Sequence, residues 1–254
     1  LSLYRTTQSS EQVKASSMQM LDEAAQARIE AQGEVQALGI RRQFMDAYQY
    51  GHGFSRQVLF LREQAEKRFL DAFDTREDLT RQVKAALLAN PDLLGLSLVF
   101  EANALDAKDE LFANQAELGS NDKGRFALYW SQPTPGKLTS MALPESDISD
   151  TRVGPSGEPA NAWFSCPRTT LKPCVIEPYF FMIDGQNVLM TSIVFPLMVN
   201  GKLIASLAVD IKLDSLQAIT QRASQQLYDG QTQVSILSAS GLLAGYSADA
   251  SKLS

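Results

Sequence analysis

Residues 11 to 48 contain no proline and are filled largely with Gln, Glu, Ala and Arg. Apolar side chains return along them at steps of three and four: Met20, Ala24, Ala27, Ala31, Val35 and Leu38, with Met45 and Tyr48 extending the stripe. That periodicity predicts a single helix. At 1.5 Å per residue the helix is roughly 55 Å long, so it must run alongside several structural units or stand as a stalk. Gly33 and Gly39 lower its propensity without ending it. The segment Gly51-His52-Gly53 is expected to break it. A second helix is expected over residues 55–73 and a third over 76–89, with Thr75 as N-cap and Asn90-Pro91 as the stop.

After Pro91 the texture changes. LLGLSLVFE, GRFALYWSQ, CVIEPYFFMI, NVLMTSIVFPLMV and KLIASLAVDIKL are short, rich in β-branched or aromatic residues, and separated by turn signals. Asp184-Gly185 and Asn200-Gly201 are strong hairpin turns, because both central positions of a type I′ turn need positive φ. Three successive antiparallel strands are therefore expected between Cys174 and Leu213, then a helix over residues 214–227, then a closing hairpin in TQVSILSAS-GLLAGYS. The class this predicts is α+β, with helices segregated to one side of an antiparallel sheet. Residues 143–161 form a polar loop, and a loop of that length in a compact domain is more often functional than idle.

Catalytic and metal motifs are missing. There is no GxSxG, GxxxxGK[ST], HExxH or GxGxxG, and His52 is the only histidine, so most His-based triads and metal sites are excluded. No cofactor or metal is expected, and no enzymatic activity. A net charge of −6 disfavours a nucleic-acid partner. No apolar run reaches the roughly 20 residues that cross a bilayer. The chain opens LSLYRTTQSS, abruptly and close to a helical pattern, a start that suits a domain cut just outside a membrane anchor and equally any trimmed fragment. Cys166 and Cys174, in WFSCPRTTLKPC, lie close with Pro167 and Pro173 bending the intervening loop. A local disulfide there would imply an oxidising compartment, and two unpaired thiols are the alternative.

GRFALYW, NAWFSCPRTTLKPCVIEPYFF and VLMTSIVFPLMVNGKLIASLAVDIKLD together resemble the membrane-distal module of double Cache domains, the extracytoplasmic sensors of bacterial chemoreceptors. The long helix and LSLVFEANALDAKDE are similar to that family as well. The resemblance implies a long N-terminal helix over 1–50 and a membrane-distal, PAS-like ligand-binding module over 51–228. It also implies the incomplete start of a membrane-proximal module over 229–254. The periplasmic domain of an inner-membrane receptor is implied, anchored by flanking segments and paired as a homodimer.

The resemblance also implies a site. In the amino-acid-sensing pattern an arginine stands two residues before a Trp-Tyr pair and holds the ligand carboxylate. A tyrosine after Glu-Pro and an aspartate at the end of a later strand hold the ammonium group. Here Trp163-Phe164 fall on the pair, Tyr179 on the tyrosine and Asp210 on the aspartate, while Asn161 stands at the arginine position. Asn cannot replace the bidentate, charged fork of Arg. A site that lacks its cation and keeps its anion is expected to prefer amines, and the stretch is similar to the polyamine- and histamine-sensing branch.

Phe181, two residues from Tyr179, would add apolar surface. Tyr129 and Trp130 alternate on a neighbouring strand, so at most one of them faces the pocket. A second ammonium group would need Glu145, Asp147 or Asp150, with Asp184 disfavoured by its place in a turn. The alternatives are a sensor for amino acids or other small polar ligands, and an input domain of a histidine kinase or cyclase. A transporter's solute-binding protein is disfavoured, since those use parallel sheets.

Overall fold

The structure is a computed structural model that describes residues 2–226, 233–238, 243–246 and 248. Helices α1 (Ser2–Lys67) and α2 (Ala72–Leu88) come first. Strands β1 (Gly95–Phe100), β2 (Ala127–Thr134) and β3 (Lys137–Ala142) follow. Two short helices, α3 (Glu145–Ile148) and α4 (Ala162–Thr170), lead into β4 (Cys174–Val175), β5 (Tyr179–Ile183), β6 (Gln186–Val199) and β7 (Lys202–Lys212). Helix α5 (Asp214–Gln226) precedes a small antiparallel pair, β8 (Ser235–Leu237) and β9 (Leu243–Tyr246). The main sheet has the order β3-β2-β1-β7-β6-β4, with β5 also paired to β6, and every pairing is antiparallel. This is the α+β class expected of the sequence, but the helices are not all on one side: α3 and α4 cover the face opposite α1 and α2. Residues 239–242, where the turn of the expected closing hairpin falls, lie outside the described residues, as do residues 227–232 and most of those from 247 on.

The break expected at Gly51-His52-Gly53 is absent, so residue 50, where the expected N-terminal segment ends, falls inside a helix. A Cβ on Gly51 would lie 2.3 Å from the Phe195 ring and 2.7 Å from Val209 Cγ2. The glycine is there so that helix and sheet can touch, and the propensity it forfeits is offset by that contact. The real break comes at residues 68–71, where Phe69 takes a left-handed φ of 52°. Asp71, rather than Thr75, then caps α2, its carboxylate accepting the Asp74 N–H at 2.8 Å. Sequence reading also missed β3 and took the cysteine segment for a loop, whereas residues 162–170 are helical in spite of Pro167.

Both hairpin turns have the expected conformation, with positive φ at Asp184, Gly185, Asn200 and Gly201. Alternation along the strands then divides the sheet. Leu96, Leu98, Leu128, Phe195, Leu207 and Val209 face α1 and α2, joining Ala47, Phe54, Val58, Leu79 and Val83 in one apolar core. Each such side chain contributes on the order of 1.5–3 kcal/mol through burial. Before Ala47 the helix has little to lie on, and Met20, Val35 and Leu38 are more than half exposed. The guanidinium of Arg76 is wholly buried and ties α2 to the β1–β2 connection. It is bidentate to Asp106 at 2.8 and 2.9 Å, pairs with Asp109 at 2.8 Å, and stacks over Phe112.

Candidate ligand-binding site

The opposite face of the same strands carries Ser97, Tyr129, Met190, Ser192, Ala208 and Asp210. Register brings them together: Asp210 on β7 stands between Gly95 on β1 and Ser192 on β6. Gly95 makes room for its diagonal neighbour. A Cβ there would lie 2.6 Å from the Tyr129 ring and 2.7 Å from its hydroxyl, so the glycine lets Tyr129 lean across β1 toward Asp210. From the other side Tyr179 reaches over β6. Its hydroxyl lies 2.6 Å from Ser192 Oγ, and Ser192 donates to Asp210 Oδ1 at 2.6 Å. With Ser192 donating to the carboxylate, Tyr179 donates to Ser192.

The cavity is lined by Asp210, Tyr129, Tyr179, Trp163, Phe181 and Met190, with Ser97, Ala208 and Leu143 between them. Counted as space for the centre of a water molecule it holds about 20 Å³, enough for about one water. Burial pushes Asp210 up to about 6, against the lowering effect of the Ser192 and Tyr129 hydroxyls. Tyr129 and Tyr179 are raised well above their ordinary value, first by burial and then by the Asp210 charge, so both remain neutral hydroxyls. The buried Tyr129 hydroxyl is turned toward Asp210, an interaction that raises the phenol and lowers the carboxylate. Tyr129 meets Phe181 edge to face at 5.6 Å.

A lid made of α3, α4 and their connection covers the cavity, and polar ties hold it down. Arg125 grips Glu145 through Nε at 3.1 Å and Nη2 at 2.5 Å. Asn121 Nδ2 donates to Leu143 O and to Glu145 Oε2, each at 3.0 Å. Arg168 Nε lies 2.7 Å from Glu101 Oε1, an ion pair too poorly aligned to count as a hydrogen bond. Cys166 on α4 is bridged to Cys174 on β4, with an S–S length of 2.04 Å. The disulfide open as one alternative in the sequence is therefore present.

The structure gathers Asp210, Tyr179, Trp163, Phe181 and Tyr129 around one cavity and leaves the other candidates outside it. Phe164 points away, between the guanidiniums of Arg168 at 5.1 Å and Arg125 at 6.0 Å, because helix α4 turns successive side chains in different directions. Trp130 faces α2, where its Nε1–H donates to Thr80 O at 3.1 Å. Asn161 begins α4 and donates to Ile148 O at 2.8 Å, so it holds lid to lid and does not line the cavity. Asp147 sits on α3 outside the cavity lining, raised first by burial and then by Asp150. Asp150 is bound to Arg152 and Glu145 to Arg125.

Sequence reasoning missed Ser192, Met190 and Ser97. Counting back from Asn200-Gly201 puts Thr191 opposite Asp210; the bulge between Leu197 and Met198 shifts the register by one and installs Ser192. Among the described residues no group of three His, Cys, Asp or Glu could hold a metal ion. No helix among them is long and apolar enough to cross a membrane.

Residues 79–218 match the model of the methyl-accepting chemotaxis protein-like first PDC sensor domain. The chain is 59% identical over 253 residues to the methyl-accepting chemotaxis protein TlpQ of Pseudomonas aeruginosa, a match that covers 100% of this chain and 35% of that protein. It therefore spans about a third of the curated relative's length. The fold is similar to that of the periplasmic sensory domain of the Campylobacter jejuni chemoreceptor Tlp1, with TM-score 0.59 and 11% identity over 87% of this chain and 71% of the other. It is also similar to the extracellular domain of mmHK1S-Z3, named as a histidine kinase, with TM-score 0.60 and 22% identity over 83% and 68%.

Proposed function

This chain belongs to the methyl-accepting chemotaxis protein-like first PDC sensor domains, and we propose that it is the periplasmic part of an inner-membrane chemoreceptor that binds small organic cations. The observation that carries the ligand class is the composition of the cavity. It presents one carboxylate, Asp210, amid aromatic and aliphatic side chains, and no basic side chain lines it. A buried carboxylate favours a cation, and Tyr179, Tyr129 and Trp163 offer faces for cation–π contact. An α-amino acid would bring a carboxylate with nothing to pair it, since the nearby Arg125 and Arg168 are held by Glu145 and Glu101. Polyamines and histamine-like amines fit this description. Asn161 takes no part in this selection, because its side chain is occupied within the lid.

Signal would travel along β7. Asp210 lies near its end, and the chain continues through Leu213 into α5, where Leu216 and Ile219 pack with Ile40 of α1. A ligand that prefers one position of β7 would bias that of α1. The half-exposed residues Leu21, Val35, Leu38 and Met45 recur at heptad-like spacing on α1, and they support a homodimer paired along that helix. The division into 1–50, 51–228 and 229–254 belongs to the same proposal, residue 50 marking where the helix meets the sheet. We expect two modules in the full receptor and chemotactic signalling as its output.

Calorimetry with a panel of amines, neutral amino acids and organic acids tests the ligand class. Amines should bind and the others should not. Binding of neutral amino acids without binding of any amine would refute it.

A further inference from the structure

The lid is fastened unevenly. Its helix α3 is gripped through Glu145 by Arg125 and Asn121, and α4 by the Arg168–Glu101 ion pair and the Cys166–Cys174 bridge. Between the two, residues 151–160 fold into a small hairpin bonded largely to itself. Val153 bridges Pro159, the Gly154 N–H donates to Glu158 O at 2.9 Å, and the Ala160 N–H donates to Arg152 O at 2.8 Å. The hairpin is tied to the segment ahead of β5 by Glu158, whose Oε2 accepts the Glu177 N–H at 3.1 Å. Most of its residues are exposed. Local opening costs least in a short segment with exposed hydrogen bonds and few buried apolar contacts.

Under this hairpin lies an open groove of about 370 Å³, walled by Pro155, Pro159, Ile176 and Phe180 together with Trp163 and Tyr179. Trp163 and Tyr179 also line the Asp210 cavity, so these two side chains stand between groove and cavity. The cavity has room for about one water, and a larger ligand enters only if part of its cover moves. Glu158 joins the two elements that carry the dividing side chains. Trp163 follows the hairpin at the start of α4, and Tyr179 begins β5 directly after Glu177-Pro178.

Resting on the cavity as the ligand site, we propose that residues 151–160 are the gate between groove and cavity. Glu158 is the positioning residue that holds the gate shut, acting through the Glu177 backbone. Releasing its hydrogen bond lets the hairpin and the first turn of α4 swing away from β5, which parts Trp163 from Tyr179. Helix α3 and the far end of α4 stay down, held by Glu145, Arg168 and the disulfide. The Glu158 bond lies outside the cavity and is made whether the cavity is empty or filled. It therefore governs how fast a ligand passes and divides out of how tightly the ligand is held.

Hydroxyl-radical footprinting of the unliganded domain tests the gate residue by residue. In Glu158→Ala the oxidation rate of Trp163 should rise about three- to tenfold, the upper figure being the worth of one hydrogen bond to a partly exposed carboxylate. Phe164, turned away on the same helix, should keep the parent's rate. Glu158→Gln keeps an oxygen for the Glu177 N–H and should protect Trp163 nearly as the parent does. An unchanged Trp163 in Glu158→Ala, an equal rise at Phe164, or a glutamine variant as open as the alanine variant overturns the gate. Stopped-flow binding of 1,4-diaminobutane is the second arm. Association and dissociation should quicken together in Glu158→Ala, leaving Kd within about threefold of the parent. Faster dissociation with unchanged association would make Glu158 a contact of the bound ligand and overturn its role as a latch. If no amine binds at all, the amine reading fails, and the footprinting still decides the gate.

Discussion

The two faces of the sheet are made from the same strands and behave as different materials. On β7, Leu207 and Val209 face the helices, where they join a continuous apolar core covered by long helices. Ala208 and Asp210 face the lid, where the cover is two short helices tied by ion pairs and a disulfide. The helix face gains stability from area. The lid face buries an unneutralised carboxylate at a cost in stability, which a cation would recover.

The largest expected effect separates them most sharply. Asp210→Asn keeps shape and volume but removes the charge. Leaving an ammonium group unpaired in a buried site costs about 2–5 kcal/mol, or roughly 30- to several-thousand-fold in amine affinity. The melting temperature without ligand should stay level or rise. A folded variant that binds amines like the parent would remove the main support for the site. The mirror experiment is Leu207→Ala on the neighbouring face. Its buried cavity should cost about 2–5 kcal/mol in urea unfolding, with amine affinity changed little while the domain remains folded. A large, specific affinity loss there would mean that the faces are coupled more tightly than their packing indicates.

Cys166→Ser/Cys174→Ser probes the lid's covalent tie. Closing a loop with a sequence separation of 8 is worth about 2–3 kcal/mol in the chain-entropy account. Hydrogen exchange should quicken in α4 and spare the centre of β6. Uniform quickening across both would show that lid and sheet open as one unit.

A pH titration sharpens the contrast further. Asp210 is raised from 3.8 to about 6 in the folded protein, and the groups nearest it, Tyr129, Tyr179 and Ser192, stay uncharged. Amine binding needs the carboxylate ionised, so affinity should fall about tenfold per pH unit below about 6. Stability without ligand runs the other way. With the folded value raised, the contribution of Asp210 is fully present below the unfolded value and is lost as pH rises through about 6. Asp210→Asn should abolish both trends.

How legible these faces were in the sequence depends on how local their causes are. The hairpins were readable because Asp184-Gly185 and Asn200-Gly201 specify their own φ angles. The pairing of Asp210 with Tyr179 and Trp163 was suggested by family resemblance, and alternation put one of Tyr129 and Trp130 on that face. Phe164 and Asn161 were misplaced because residues 162–170 form a helix around Pro167, a tertiary outcome that local propensity opposes. Ser192 was hidden by the bulge between Leu197 and Met198.

The smallest effect concerns glycines that look alike in sequence. Gly51 and Gly53 flank His52 within one unbroken helix. A Cβ on Gly51 would strike Phe195 and Val209 on the helix-facing side of the sheet, whereas nothing lies within 4 Å of one on Gly53. Both substitutions to alanine remove the same backbone freedom from the unfolded chain and gain the same helix propensity, at most about 1 kcal/mol. Gly53→Ala should therefore stabilise by that amount. Gly51→Ala should destabilise, because the Phe195 ring and the Val209 side chain must give way and open the core. Thermal melts of the two variants decide it. Equal stabilisation would mean that α1 can lift from the sheet at little cost, and would weaken the claim that the helix face is the rigid one.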